Sequence, residues 1–244
     1  MNADRMIRIE HLSKSFDGLT VLDDISLDIG RGSVTAVLGP NASGKSTLIK
    51  CILGLVIPDK GRILIDEESV IGEWRYRARI GYMPQISSFP DNLSVDELFE
   101  MLRDLRGGGG DVDIELFARY DLGAIGHKRM NTLSGGTRQK INAAIAFMFS
   151  PRVLVLDEPT VGLDPLSTTV FKDKIRKESS EGRTVLLSSH LVNEVEEIAD
   201  HIVYLVDGKP FFDGTIEELK VRTSESRLDR ALVRIMEETG ETRV

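Results

Sequence analysis

A nine-residue segment rich in glycine and hydroxyl residues has the composition of a loop that binds phosphate. Its sequence is Gly-Pro-Asn-Ala-Ser-Gly-Lys-Ser-Thr. Glycines permit a tight turn whose backbone N–H groups point at phosphate oxygens, and the N-terminus of a following helix favours negative charge. In this pattern Lys45 would reach the β- and γ-phosphates, and the Ser46 hydroxyl would coordinate Mg²⁺. The residues predicted to bind the triphosphate are Gly39, Pro40, Asn41, Ala42, Ser43, Gly44, Lys45, Ser46 and Thr47.

The flanking sequence supports this interpretation. Val34–Leu38 is a continuous apolar run, which is typical of a strand buried on both faces of a parallel sheet. After the loop, apolar residues repeat at helical spacing from Leu48 to Val56, and Pro58 is predicted to stop the helix. Because a phosphate loop lies between a buried strand and a helix, a chance glycine-rich turn is the weaker alternative.

Two adjacent carboxylates follow a second apolar run, Val153–Leu156. Asp157 would then stand at the carboxyl edge of the sheet, where ligands of open α/β sheets bind. It can hold a Mg²⁺-bound water, and Glu158 can orient and deprotonate the water that attacks the γ-phosphate. The alternative, a strand followed by an ordinary acidic turn, is weakened by the phosphate loop nearby. The sequence therefore predicts triphosphate hydrolysis.

The elements that must position these residues form an α/β pattern interrupted by helices. Residues 1–85 carry alternating strands, the buried strand and the loop, and residues 151–220 resume the pattern with runs such as Val185–Leu187. Residues 86–150 instead have helical signals, including the capping-box spacing of Ser94 and Glu97 and a helix near residues 137–149. Residues 221–244 form a tail with one amphipathic helix, which spans residues 228–236.

Composition limits the function classes. The chain has 244 residues, 41% hydrophobic and 29% charged, as expected for a folded protein rather than a disordered one. Its net charge of −8 makes it a poor partner for nucleic acid. The single cysteine, Cys51, cannot form an internal disulfide, which favours a reducing compartment. We expect no secretory signal, and no apolar run approaches the length of a membrane span.

A third motif points to a family. Leu133-Ser-Gly-Gly-Thr137 opens the last helix of the insertion, ahead of Val153-Leu-Val-Leu-Asp-Glu-Pro159. Together with the phosphate loop, these segments resemble the nucleotide-binding domain of ABC ATPases, and the resemblance covers residues 7–219. It implies an α/β P-loop NTPase fold, RecA-like, with a mostly parallel sheet core, an N-terminal antiparallel β sub-domain and an inserted α-helical sub-domain. Residues 1–220 would be a single domain, with residues 86–150 as its helical signature sub-domain.

The resemblance also implies partners across a dimer. In this family two domains pair head to tail, so that Ser134, Gly135 and Gly136 would contact the γ-phosphate of the partner's ATP, with Asp164 in the loop that crosses the interface. A serine and bare amides at a helix N-terminus suit an anion. Ser134 as an ordinary N-cap is compatible with this role.

Three more positions match the family. Phe16 would stack on adenine, Gln85 would contact Mg²⁺ and relay the nucleotide state to a membrane partner, and His190 would contact the γ-phosphate. Alternatives are a core phenylalanine for Phe16 and a helix-capping histidine for His190. The resemblance thus assigns catalysis to Glu158, His190 and Lys45, and Mg²⁺ to Ser46, Gln85 and Asp157.

Two positions depart from the family pattern. Ala42 stands where many members have glycine, and we expect binding to survive unless that position needs a positive φ. Thr137 replaces the usual glutamine after the signature but leaves its serine and glycines intact. Neither departure predicts an inactive site.

Two tasks fit such an ATPase. The favoured one is the ATP-hydrolysing subunit of an ABC transporter, held at the cytoplasmic face of the membrane by integral-membrane subunits on separate chains. The absence of a tandem copy and of a long coiled-coil insertion supports it. The alternative is a soluble ATPase in metal-cluster or protein assembly. Two finer resemblances concern the transporter's task. The short tail is similar to that of the ATPases of ABC-2-type exporters. The branch of copper-handling ATPases that mature nitrous oxide reductase is similar at residues 74–79, 89–93 and 147–149. An apolar groove for the membrane partner is expected among Phe89, Leu93, Val95, Leu98 and Phe99, and the alternative for each of them is a place in the core.

Overall fold

The computed structural model describes residues 5–108 and 111–238. The strands are β1 (Arg5–Phe16), β2 (Leu19–Gly30), β3 (Val34–Leu38), β4 (Lys60–Ile65), β5 (Glu68–Ser69), β6 (Ile80–Met83), β7 (Val153–Asp157), β8 (Thr184–Ser188), β9 (His201–Val206) and β10 (Lys209–Thr215). The helices are α1 (Lys45–Ile52), α2 (Val95–Leu105), α3 (Glu115–Arg119), α4 (Gly135–Phe147), α5 (Pro165–Ser180), α6 (Val192–Ile198), α7 (Ile216–Thr223) and α8 (Leu228–Glu238). Short 3-10 helices cover Arg75–Arg79, Leu122–Ile125 and Met130–Thr132.

The central sheet has the strand order β10-β9-β3-β8-β7-β6. All its neighbours pair in parallel except β10, which returns antiparallel along β9. Every residue of β3, β7 and β8 is buried, as their continuous apolar runs predicted. Because parallel strands end at one edge, the loops after β3, β6, β7 and β8 meet there, and these loops carry most of the predicted site residues.

A second, antiparallel sheet has the order β2-β1-β4-β5. Its apolar face and α1 pack on one side of the central sheet, through a core that includes Ile7, Ile25 and Val37. The helices from α2 onward cover the other side, where Ala36 and Leu38 join a second core with residues of α4, α5 and α8. This arrangement confirms the predicted α/β fold class, with an antiparallel β sub-domain and a helical insertion.

Several element predictions hold and one is wrong. The predicted capping box at Ser94 is formed, and the amphipathic helix near the C-terminus exists as α8. Thr215-Ile-Glu-Glu218 has the same capping-box spacing, and its box is also formed. The first helix ends at Ile52 rather than at Pro58. Gly54 adopts a φ of 65° and Leu55 N donates to Lys50 O at 2.8 Å, so a left-handed glycine closes the helix before the proline. The run of four glycines at Gly107–Gly110 predicts a flexible surface loop, and of these residues Gly109 and Gly110 lie outside the described ones.

A buried ion cluster fixes the helical insertion to the core. Lys174 of α5 is 1% exposed, and its Nζ lies 2.5 Å from Asp113 Oδ2, 3.0 Å from Glu115 Oε2 and 2.7 Å from Glu178 Oε1. Burial alone would lower the pKa of Lys174, but hydrogen bonds to Asp113, Glu178 and Glu115 outweigh it and raise the pKa. Since Glu115 begins α3, these ion pairs hold α3 of the insertion against α5.

Candidate functional site: a phosphate-binding cleft at the edge of the parallel sheet

The phosphate loop connects the carboxyl end of β3 to α1, and two of its glycines are sterically required. Gly39 has a φ of 149°, and a Cβ there would lie 2.2 Å from the Leu205 carbonyl oxygen. Gly44 has a φ of 103°, and a Cβ there would lie 2.7 Å from the Val21 carbonyl oxygen. The loop is therefore folded tightly against β9 and β2, as a concave turn of backbone needs.

Polar side chains converge on the inside of this turn. Lys45 Nζ donates to the carbonyl oxygens of Gly39 and Pro40 at 2.8 and 2.9 Å. Burial lowers the pKa of Lys45, and the charges of Glu158 and Asp157 offset part of that effect. The Ser43 hydroxyl is buried and has no hydrogen-bond partner among residues 5–108 and 111–238. A buried cation and an unsatisfied hydroxyl in a turn of amides fit a phosphate group.

Ala42 adopts a positive φ, the backbone conformation in which an alanine is less stable than a glycine. Its φ is 65°, in the left-handed region that glycine adopts freely. A Cβ in this conformation costs about 1 kcal/mol. The departure noted in the sequence is therefore a strained position within the loop.

We expect Ala42→Gly to raise the melting temperature by about 2–4 °C, the shift that about 1 kcal/mol produces in a domain of this size. Differential scanning calorimetry of the two proteins measures it, and Ala124→Gly in the 3-10 helix Leu122–Ile125 is the control for added chain entropy. A lower melting temperature for Ala42→Gly would show that the loop tolerates the methyl group without strain.

The carboxylates at the end of β7 are held by the neighbouring strand β8. Ser188 Oγ donates to Asp157 Oδ1 at 2.5 Å and accepts from Glu158 N at 3.0 Å. Glu158 has a φ of 50°, a strained conformation of the kind found at functional sites. Its Oε2 lies 2.8 Å from His190 Nδ1, in the loop after β8. One hydroxyl thus holds the Asp157 carboxylate and the Glu158 backbone, and one imidazole contacts the end of the Glu158 side chain.

A cleft of about 280 Å³ opens between the phosphate loop and Glu158. Gln85, from the loop after β6, lines this cleft together with Ser46. Phe16 lies at the end of β1 with its residue 43% exposed, paired with Leu19, which lines the cleft. The lining residues are Leu19, Val21, Asn41, Ala42, Ser43, Gly44, Lys45, Ser46, Thr47, Gln85 and Glu158. The structure therefore brings most of the predicted binding residues together.

The signature residues lie apart from this cleft. Ser134 is the N-cap of α4, where its Oγ accepts from Thr137 N at 3.2 Å and lies 2.8 Å from Thr137 Oγ1. Ser134 and Gly135 are exposed, and within the described chain Ser134, Gly135, Gly136 and Asp164 do not line the cleft. The N-cap role is thus present, and the exposed helix end is open to a second molecule.

The Asp164 carboxylate already has partners within the chain. It accepts from Ser167 N and Ser167 Oγ at the N-terminus of α5, and Lys140 Nζ lies 2.8 Å away. Lys140 and Ser167 hold the pKa of Asp164 well below its usual range. A contact from Asp164 to a partner's nucleotide stays a prediction.

The predicted magnesium ligands are all oxygen donors, which are the ligands that Mg²⁺ prefers. Ser46 and Gln85 line the cleft, and the Asp157 carboxylate, 4% exposed, is close enough to Lys45 to influence its pKa. A buried carboxylate, a hydroxyl and an amide oxygen around a phosphate cradle fit one divalent ion.

For two of the five residues of the expected apolar groove, the structure favours the core alternative. Val95 and Leu98 are fully buried core residues, and Phe89, Leu93 and Phe99 pack half-buried against that core. A groove of about 250 Å³ lies further along the same helix, between α2, α4 and β6, and is called the α2–α4 groove below. Its apolar lining includes Ile80, Tyr82, Leu102, Leu105, Ile145 and Phe149.

Several contributing residues were not predicted. Ser188 holds the Asp157 carboxylate and the Glu158 backbone N–H, and Lys140 pairs with Asp164. Gln139 and Asn142 donate to loops of the site. A serine at the carboxyl end of a buried strand was an available signal for Ser188. Polar residues on a buried helix were the signal for Gln139 and Asn142.

The fold and the cleft define a phosphate-loop nucleoside triphosphatase. A family model described as ABC transporter matches residues 22–161, which is more than half of the chain. The chain is 36% identical over 236 residues to the daunorubicin resistance ATP-binding protein DrrA3 of Streptomyces coeruleorubidus, covering 94% of this chain and 74% of that one. It is 31% identical over 225 residues to a Nod factor export ATP-binding protein I of Bradyrhizobium diazoefficiens, covering 90% and 74%.

A solved structure, described as the ATP binding subunit of an ABC transporter, superposes with a TM-score of 0.87 at 26% identity and covers 95% of this chain and 99% of that one. The chain belongs to the ABC transporter family, as one of its ATP-binding, ATP-hydrolysing domains. Within the described residues, no helix has both the length and the apolar character needed to cross a bilayer.

Proposed function

We propose that this chain is the ATPase subunit of an ABC exporter, and that its transport work is driven by head-to-tail closure of two copies on ATP. The observation that carries the proposal is the separation of the two halves of the site. The cleft holds the phosphate loop and Glu158, whereas the signature helix end is exposed and outside it. A second copy that brings its Ser134 to the cleft would complete both sites of a symmetric pair.

In hydrolysis, each residue acts where its neighbours hold it. The amides of the phosphate loop and Lys45 bind the phosphates, and Glu158 takes the proton from the attacking water. His190, 2.8 Å from Glu158, fixes the orientation of that carboxylate and would contact the γ-phosphate of bound ATP. Mg²⁺, when held by Ser46, Gln85 and Asp157, neutralises charge on the phosphate oxygens.

Closure of the dimer links hydrolysis to motion. Ser134 and the amides of Gly135 and Gly136 stand at the N-terminus of α4, which favours an anion. They bind the γ-phosphate only while it remains attached, so ATP favours the closed pair and its hydrolysis releases it. For each bound ATP, one copy of the chain therefore provides both the phosphate loop and the base Glu158. The other copy contributes binding energy through its Ser134 helix end.

The α2–α4 groove supports a membrane partner on a separate chain. Leu105 at its rim is 75% exposed, and the guanidinium of Arg106 lies 5.0 Å from the centre of the Phe149 ring. An apolar floor with a fixed cation at the rim suits a short helix that carries apolar residues and a carboxylate. The groove adjoins Tyr82 of β6, the strand that leads to Gln85, so a docked helix would lie close to the cleft.

We expect Leu105→Asp to weaken copurification of the membrane subunit by at least about tenfold, because it puts a charge into an apolar contact. The ATPase rate of the isolated chain should stay within about twofold of wild type, since Leu105 is exposed and outside the cleft. Quantitative pull-down and phosphate release measure the two effects. Val221→Asp, at a residue 72% exposed on α7, is the matched control. Equal loss of both readouts, or undiminished copurification, would contradict the docking assignment.

The narrower proposal is that the transporter serves copper handling. It is supported by the similarity of residues 74–79, 89–93 and 147–149 to that branch, and Trp74 is 68% exposed and accessible to a partner. Over the described ranges no group of three or more histidine, cysteine or acidic residues is arranged to hold a metal ion. Metal specificity in this proposal therefore belongs to the partner subunits.

A further inference from the structure

Two buried amide side chains connect the signature helix to the loops that carry Gln85 and Glu158. Asn142 Nδ2 donates to the carbonyl oxygen of Pro84 at 2.9 Å, and Gln139 Nε2 donates to that of Pro159 at 3.2 Å. Asn142 is 2% exposed and Gln139 is 5% exposed. Pro84 immediately precedes Gln85, and Pro159 immediately follows Glu158.

The two donors lie three residues apart on α4 and so occupy one face of the helix. Polar side chains are costly in a buried helix unless they make hydrogen bonds, so their presence requires these acceptors. Each acceptor is a proline carbonyl in a loop and lies outside the sheet ladder. The side chains therefore fix the loops to the helix at the residue next to each functional side chain.

The helix that carries these donors is itself held closely against the site. A Cβ on Gly81 would lie 2.0 Å from the Ala146 carbonyl oxygen, so α4 packs directly on β6. At its other end, a Cβ on Gly136 would lie 2.8 Å from the Gly162 carbonyl oxygen. One helix therefore contacts the loops after β6 and β7 while its N-terminus carries Ser134.

We propose that Asn142 and Gln139 are positioning residues. Through them the positions of Gln85 and Glu158 depend on the position of α4. When Ser134 at the start of α4 engages a partner's nucleotide, the helix shift moves both loops through these two hydrogen bonds. The proposal rests on the head-to-tail function argued above and adds the groups that transmit it. Catalytic geometry then depends on two amides that do not line the cleft.

Removing either donor should lower kcat more than it changes nucleotide binding. For Gln139→Met and Asn142→Leu, which keep side-chain size without the donor, we expect kcat to fall on the order of tenfold. The ATP Kd should stay within about twofold, since neither residue lines the cleft. Ile141→Val is the control for simple loosening of α4, because Ile141 is buried on the same helix and holds neither loop. Its kcat should equal that of wild type.

A thermodynamic cycle separates positioning from a structural role. If Gln139 acts through Glu158, then Gln139→Met should cause no further loss in a Glu158→Gln background, and Asn142→Leu none in a Gln85→Ala background. Single-turnover release of labelled phosphate measures the residual rates. Additive losses in both cycles, or a wild-type kcat in both single variants, would overturn the proposal.

The same variants distinguish a failure of the proposed hydrolysis mechanism from a failure of the positioning proposal. If Glu158→Gln itself hydrolyses ATP at the wild-type rate, the assignment of the base fails. The positioning proposal is then decided by the cycle of Asn142 with Gln85. If Glu158→Gln is impaired while Gln139→Met and Asn142→Leu match Ile141→Val, only the positioning proposal fails. Should Asn142→Leu not fold, Asn142→Ala removes the same donor without adding bulk, and the same kcat loss is expected of it.

Discussion

Glu158→Gln is expected to bind ATP as wild type does and to lose about 10²–10⁴ in turnover, the usual scale for removal of a general base. The substitution preserves the size of the side chain, and an amide can still meet His190 at the 2.8 Å contact. It cannot accept the proton of the attacking water. The loss should therefore appear in kcat and spare the ATP Kd.

Phosphate release and equilibrium binding of labelled ATP measure the two effects side by side. Glu194→Gln is the matched control, because Glu194 lies on α6 beyond the cleft and undergoes the same chemical change. Its turnover should match wild type. Hydrolysis by Glu158→Gln at the wild-type rate would mean that another group takes the proton, and a loss of ATP binding would point to a folding defect at the strained φ of 50°.

Lys45→Ala is expected to weaken ATP binding by about 10- to 100-fold. A hydrogen bond to a charged group contributes about 1.5–3 kcal/mol, which corresponds to that range in Kd. The variant also leaves the carbonyl oxygens of Gly39 and Pro40 without their donor, so the loop itself loses a contact that closes it. Affinity falls for both reasons.

Titration calorimetry with ATP and Mg²⁺ measures the change. Lys50→Ala is the matched control, since Lys50 is an exposed lysine on the same helix and should leave affinity unchanged. Unchanged affinity in Lys45→Ala, or an equal loss in both variants, would remove the assigned role of Lys45.

Much of the fold followed from local patterns in the sequence. The fully buried strands β3, β7 and β8 appear as unbroken apolar runs, and the loops after them carry the residues with chemistry. Because parallel strands share an edge, those loops were expected to meet, and Lys45 and Glu158 do line one cleft. Motif spacing then gave the family, whose membership the relatives establish.

What the sequence did not reveal depends on contacts between distant segments. Asn142 meets Pro84 across 58 positions, and Ser188 meets Asp157 across 31, so neither pairing leaves a local pattern. Backbone angles were equally hidden: Gly54 closes α1 ahead of Pro58, and Ala42 holds a positive φ inside the loop. The sequence also left open which of the five groove candidates belong to the core. Val95 and Leu98 do, and helical spacing alone does not distinguish a core face from a docking face.

The transporter function is tested most directly by affinity capture of tagged Glu158→Gln from detergent-solubilised native membranes with ATP and Mg²⁺, followed by mass spectrometry. This variant favours the ATP-bound dimer, and Leu105→Asp in the same background reports whether the α2–α4 groove carries the contact. We predict stoichiometric recovery of a multi-spanning protein together with a second ATPase copy, and loss of the spanning protein with Leu105→Asp. Recovery of soluble partners alone, with the chain in the cytosolic fraction, would contradict the transporter function and favour an assembly ATPase.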